Sequence, residues 1–160
     1  MVLFIKFKIN MREIQREIVS GLIFAKDGKL FQGQKDPQKG GVYCDCWHLP
    51  GGGAEPGEDK KTALAREIKE ETGIDIAGYG VELADDSGRG ESKKVLGTGE
   101  EVLCQMKFFV YRIDVDKNST DIEINLNDDL VKFRWTDPKE LPGLKLTPPS
   151  VELFQKLGYL

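Results

Sequence analysis

From Gly52 to Ile74 the chain reads Gly-Gly-Ala-Glu-Pro-Gly-Glu-Asp-Lys-Lys-Thr-Ala-Leu-Ala-Arg-Glu-Ile-Lys-Glu-Glu-Thr-Gly-Ile, a glycine turn feeding a helix. The helix has legible ends: Asp59 suits the N-cap, Thr62 the polar N3 position, and Gly73 the left-handed residue beyond the last turn. At about 100° per residue, Glu67, Glu70 and Glu71 fall within an arc of roughly 100° on one helical face. Leu64 and Ile68 lie beside that arc and Ala65 further round. The helix therefore buries an apolar stripe and carries its acidic stripe along the edge of a core. Arg66 stands four residues before Glu70, within reach of it and of Glu58. A solvated face laced with ion pairs does not account for the acids, because Glu67 and Glu71 are like-charged at i, i+4 and repel. A hard divalent cation does account for them, since magnesium and manganese take carboxylate oxygens. A metal among carboxylates beside a glycine turn points to phosphate chemistry.

The wider spacing is more specific. From Gly52, five residues lead to Glu58 and seven more to Arg66-Glu67; then follow Ile68, one residue, Glu70-Glu71, one residue, Gly73 and Ile74. This is the signature of the Nudix box with each defining position filled, and the chain resembles the Nudix hydrolases, MutT-like members in particular. The likeness is close over the box. It is looser from about Ile18 to about Gly158, through strand order and the Trp47-His48-Leu49-Pro50-Gly51-Gly52 approach.

The resemblance implies an α/β fold, the Nudix α/β/α sandwich with a mixed sheet. It also implies a hydrolase that cleaves the diphosphate linkage of a nucleoside diphosphate joined to another group, by water attack on phosphorus. Chemistry supports this independently, because a diphosphate needs its charge neutralised before water approaches phosphorus. The implied cofactor is Mg2+ or Mn2+, held by Glu67, Glu70 and Glu71, with Glu70 and Glu71 ranked first. Arg66 and Glu58 complete the catalytic set in support, since an arginine grips a carboxylate with two parallel hydrogen bonds. Asp129, six residues before Trp135, lies where many relatives place an additional acid, with Asp128 as its neighbour. The general base is not fixed. Gly51, Gly52 and Gly53 let backbone approach the phosphates. Lys35 stands where many relatives carry a phosphate-binding arginine. Trp47 and Phe31 are weighed as base-stacking rings against core packing, and Leu146 to Ser150 as a border of the base or leaving-group pocket.

Substrate signatures are mostly absent. No proline lies between Gly57 and Pro138, against the ADP-ribose subgroup. The tyrosine associated with dinucleoside polyphosphates and a coenzyme A signature are missing too. The expected substrate is a nucleoside triphosphate, damaged ones included. A nucleotide sugar or other nucleoside diphosphate derivative is the enzyme alternative, a non-catalytic nucleotide sensor the alternative of another class, and an RNA cap a third.

The bulk properties set bounds. A chain of 160 residues suits one domain over 1–160 with a real core. A net charge of -4 argues against an extended nucleic-acid partner bound by a broad basic surface. Met1 to Ile5 is apolar but broken by Lys6 and Lys8, too short for a signal core or a membrane span; the expected compartment is the cytoplasm, with no membrane partner. A homodimer is left open. Cys44, Cys46 and Cys104 are an odd count, which implies free thiols. A zinc site at Cys44, Cys46 and His48 is disfavoured by a single histidine and no CxxC pair; small buried strand residues are expected instead.

Along the chain, alternation predicts strands over 5–9, 18–25 and 131–135. Asp27-Gly28 predicts a hairpin into Leu30-Phe31, and residues 35–43 a loop. Ile74 to Leu83 returns toward a strand. Residues 85–100, glycine-rich and polar, form a long loop or an exposed hairpin. Val102 to Val115 is the longest strand candidate, Asn118 to Asp129 is polar, and Pro148 to Leu157 is a closing helix.

Overall fold

The computed structural model describes residues 10–39, 43–127 and 129–160. The strand expected over 5–9 and the acid Asp128 lie outside these residues. Strand β1 is Glu13–Phe24, and its neighbours follow from its two faces. Val19 and Ile23 enter one apolar cluster, Leu22 and Phe24 the other, as the period of two requires for a strand buried on both sides. Strand β2, Leu30–Lys35, returns through the Asp27-Gly28 turn, where Gly28 takes φ 81. Strand β3 is Gly51–Gly53, the helix α1 is Lys60–Thr72, and β4 is Val81–Asp85. Strands β5, Arg89–Val95, and β6, Glu101–Asp114, form the exposed hairpin that residues 85–100 left open. Strand β7 is Leu130–Thr136, and the helix α2, Pro148–Lys156, closes the fold.

Among the described residues seven strands make one mixed sheet in the order β4-β6-β1-β2-β7, with β3 on β1 and β5 on β6. The long pairing of β1 with β6 is parallel, from Glu13 opposite Leu103 to Phe24 opposite Asp114; the others are antiparallel. Helix α1 covers one face through Ala63, Leu64 and Ile68, and α2 the other through Leu153 and Phe154. This is the expected α/β/α arrangement.

Helix α1 sits close to β1 because Gly21 lies beneath it. A Cβ at Gly21 would stand 2.9 Å from Ile68 Cδ1. Ile68 is fully buried, and truncating such a side chain to alanine costs about 2–5 kcal/mol. At the start of α1, Asp59 accepts from the backbone N–H groups of Lys61 and Thr62 at 3.1 and 3.2 Å. At its end Gly73, at φ 77, donates its N–H to the Lys69 carbonyl. Two further carbonyls of the last turn are taken by the loop before β7: Asn125 N–H reaches Thr72 O at 2.9 Å and Asn127 N–H reaches Glu71 O at 3.1 Å. That docking satisfies orphan helix carbonyls and carries the chain to Asp129.

Three sequence expectations change in detail. Strand β1 begins at Glu13, five residues before Ile18, because its parallel partner β6 extends that far. The strand expected after Ile74 is confined to Val81–Asp85. The glycines are not a turn but a three-residue strand, Gly51 opposite Ser20 and Gly53 opposite Ile18; the turn into α1 lies after them. Cys104 is a buried strand residue as expected, whereas Cys44 and Cys46 sit in a turn closed by Cys46 N–H to Tyr43 O at 3.1 Å. No helix among the described residues is long and apolar enough to cross a membrane.

Candidate active site

A cleft of about 540 Å³ opens where the sheet face under α2 extends beyond that helix. Its floor is the even-numbered side of β1, Arg16, Ile18 and Ser20, beside Met106, Phe108 and Val110 of β6. Gly51, Gly52 and Gly53, Lys35, Glu67, Glu71 and Asp129 also line it. Thr147, Pro149 and Ser150 at the start of α2 border it, as the sequence suggested for this segment.

Glu71 is 4% exposed, although carboxylates are seldom buried unpartnered. Its Oε2 accepts the Gly51 N–H at 2.9 Å, which ties α1 to β3. Glu67 lies against Gly52: a Cβ at that glycine would stand 2.5 Å from the Glu67 Cδ and Oε2. Only a residue without a side chain leaves the carboxylate room there. Glu70 is about half exposed and does not line the cleft, so of the three helix glutamates the two inside it are Glu67 and Glu71.

Arg66 organises the acids from behind. Its Nε and Nη2 donate to the Glu58 carboxylate, both at 2.9 Å, in the two-pronged geometry that favours arginine. Nη1 donates to Glu67 at 2.9 Å and to Glu70 at 3.4 Å, and Nη2 also reaches the Gly53 carbonyl at 3.2 Å. Glu58 is held down to about 2, first by the Arg66 hydrogen bonds and then by the Glu55 N–H. The same carboxylates, Glu58 foremost, raise the Arg66 pKa, so its charge is permanent.

Lys35 closes β2 at the cleft, beside a register shift between Gln34 and Lys35. Asp129 is brought there by the loop docked on α1, and its carbonyl accepts the Asp36 N–H at 3.2 Å. Trp47 does not line the cleft. It packs on the cluster beneath α2, with the Arg134 guanidinium 5.6 Å from its ring centre. Phe31 is fully buried, stacked on Phe133 and edge-on to Trp135.

His48, Tyr43 and Arg16 are among the cleft residues that escaped the sequence reading. His48 was weighed only for zinc, yet it lines the cleft. Its Nδ1 faces the Leu49 carbonyl at 2.8 Å, so Nδ1 carries the proton and Nε2 is an acceptor. Burial, foremost, lowers its pKa below that of a free imidazole. Tyr43 lines the cleft at φ 68, and it is the one non-glycine residue at positive φ among the described residues. Arg16 was missed because β1 was expected to begin two residues later; with the true start, the period of two places it on the face of Ile18 and Ser20.

The donor chemistry of the glutamates suits a hard cation. Among the described residues, no three His, Cys, Asp or Glu groups are gathered around one point; Arg66 and the Gly51 N–H take up the carboxylate oxygens instead.

The NUDIX domain family matches residues 15–157. The chain belongs to that family. As a Nudix pyrophosphohydrolase it is 34% identical to the nucleoside triphosphatase NudI of Escherichia fergusonii over 147 residues, 91% of this chain and 99% of that one. It is 27% identical to an RNA pyrophosphohydrolase of Novosphingobium aromaticivorans over 139 residues, 81% of each chain. In fold it resembles the MutT protein of Methanosarcina mazei Go1, with a TM-score of 0.65 at 22% identity over 91% of this chain and 94% of that one.

Proposed function

We propose that this chain hydrolyses nucleoside triphosphates to the monophosphate and pyrophosphate in a divalent-metal-dependent reaction. The observation that carries the reading is the convergence of Glu67 and Glu71 with Gly51 to Gly53 in one cleft large enough for a nucleotide. The likeness to a nucleoside triphosphatase over nearly the full length of both chains supports the substrate class.

Glu67 and Glu71 would hold Mg2+ or Mn2+, with Glu70 adjacent to them and Asp129 as a further acid. The ion supplies charge neutralisation on the phosphates and orientation of water. Arg66 keeps the Glu67 carboxylate in place, and Glu58 keeps Arg66 in place. Lys35 offers a cation to the phosphate chain. Water attacks phosphorus, a new P–O bond forms, and the bridging P–O bond breaks with its electrons leaving on pyrophosphate. The proton of the water passes to a cleft carboxylate, Glu67, Glu71 or Asp129.

The experiment is a magnesium-dependent release assay. Its panel holds nucleoside triphosphates, oxidised nucleotides, nucleotide sugars, ADP-ribose and dinucleoside polyphosphates, with Glu71→Gln as control. Turnover of a triphosphate, lost in the control, is the expected result. Binding without turnover across the panel would overturn the reading in favour of a sensor. The 27% relative favours a second reading, a 5′-triphosphate end of RNA, so a short triphosphorylated oligonucleotide belongs in the same panel.

A further inference from the structure

We propose that Arg16 is a phosphate-binding residue of this cleft, a role that rests on the triphosphate reading above. Arg16 lies on β1 opposite Met106, two residues before the pairing of Ile18 with Gly53. Its side chain crosses to β3 and lies on the glycine backbone. A Cβ at Gly53 would stand 2.0 Å from Arg16 Nη2 and 3.0 Å from its Cζ, so the guanidinium occupies the space that any other residue at 53 would fill.

Three observations separate this arginine from a structural one. It lines the cleft together with Glu67 and Glu71. It makes no hydrogen bond or ion pair among the described residues, although acids stand nearby and the next arginine, Arg66, is saturated by three of them. It stands on the twelve-residue strand β1 and not on a loop, which is the support a precise binding group needs. A guanidinium is a fork of fixed donors matched to two phosphate oxygens. Half-buried beside carboxylates and without a carboxylate partner among the described residues, it has its donors available for a ligand, and the anion this cleft receives is the phosphate chain. On this geometry Gly53 is a cradle: its missing side chain is what admits the guanidinium.

The test compares Arg16→Ala, Arg16→Lys and Gly53→Ala in steady-state turnover of a nucleoside triphosphate, with thermal melts of each. Arg16→Ala is expected to lower kcat/KM about 100-fold, because a charge-assisted phosphate contact in an excluded site is lost. Arg16→Lys should recover only part of this, lacking the two-pronged geometry, and added guanidinium at millimolar levels should partly rescue Arg16→Ala alone. Gly53→Ala should resemble Arg16→Ala. Melting temperatures should stay near that of the parent for the Arg16 variants, since the side chain pairs with no described residue. Normal kcat and KM in Arg16→Ala, with the Glu71→Gln control inactive, would overturn this inference and leave the triphosphate reading standing. An inactive parent would remove the reading itself. Equal loss in Arg16→Lys and Arg16→Ala, with lowered melting temperatures and no rescue, would mark a structural role and equally overturn the proposal.

Discussion

Replacing Gly52 with alanine isolates the position of one carboxylate from the stability of the fold. The added Cβ would meet Glu67 Cδ and Oε2 at 2.5 Å and Oε1 at 2.7 Å, where ordinary contact begins at 3.4 Å. The carboxylate must therefore retreat by roughly 0.9 Å, and a displacement of about 1 Å at a catalytic group costs on the order of 100-fold. That corresponds to about 2.7 kcal/mol of transition-state stabilisation. The backbone itself accepts alanine, because Gly52 does not occupy the left-handed region and the atoms it meets belong to the end of a flexible side chain. Stability should change by less than about 1 kcal/mol, or roughly 2–4 °C in Tm for a chain of this size. The neighbouring position is the control. A Cβ at Gly51 would stand 2.0 Å from the Val19 carbonyl oxygen and 2.7 Å from the Ser20 Cα, backbone atoms that cannot yield without unpairing β3 from β1. Gly51→Ala should therefore lower Tm as well as activity, through a stability loss of about 1–3 kcal/mol or more. The assay is kcat by pyrophosphate release beside a thermal melt for each variant. Full activity in folded Gly52→Ala would refute the claim that Glu67 acts from this cradle.

Glu71→Gln should reduce kcat by orders of magnitude with the fold retained, since the Gly51 N–H still finds an acceptor in the amide oxygen; unchanged turnover in both Glu70→Gln and Glu71→Gln would remove the metal assignment. A chelator should abolish activity and magnesium restore it, whereas rescue by zinc alone would contradict the oxygen-ligand site. Asp59→Ala should cost about 1 kcal/mol, because two N–H groups at the start of α1 lose their acceptor, read by chemical denaturation. Glu58 is held at about 2 in the fold against an ordinary 4.5, so its stabilisation is complete above about 4.5 and disappears as the pH falls toward 2. The Tm difference between parent and Glu58→Gln should therefore shrink across that interval, and a constant difference would contradict the pairing with Arg66.

Where periodicity and capping chemistry acted alone, the sequence was enough. Asp59 and Gly73 mark α1 because a cap is a local interaction, and the spacing of Arg66 from Glu58 and Glu70 anticipated their contacts. What escaped it depends on partners distant in the chain. The first five residues of β1 alternate weakly, Glu13-Ile14-Gln15-Arg16-Glu17, and are strand because β6 lies alongside. The order of the glutamates inside the cleft follows from where β3 runs, which a helical wheel does not contain. Trp47 and His48 are neighbours in sequence, yet one packs beneath α2 and the other lines the cleft, because each forms an isolated bridge with a different segment, Leu146 and Gly33. Long-range pairing of this kind has no local signature.

The glycine strand β3 accounts for the layout of the site. Successive strand residues face opposite sides, so Gly52 opens toward α1 and Gly53 toward the sheet face that floors the cleft. Glu67 occupies the first space and the Arg16 guanidinium the second. A strand bearing side chains would separate these charges from its backbone by the width of a residue; a bare one lets an acid and a base lie against adjacent peptide units. The pairing of Gly52 with Val19 fixes which face is which, and Val19 is itself buried in the cluster beneath α1. A slip of one residue would turn every β3 position to the wrong side. The core packing that selects the register of β1 and the placement of the cleft charges are thus one constraint, carried by three residues with no side chains.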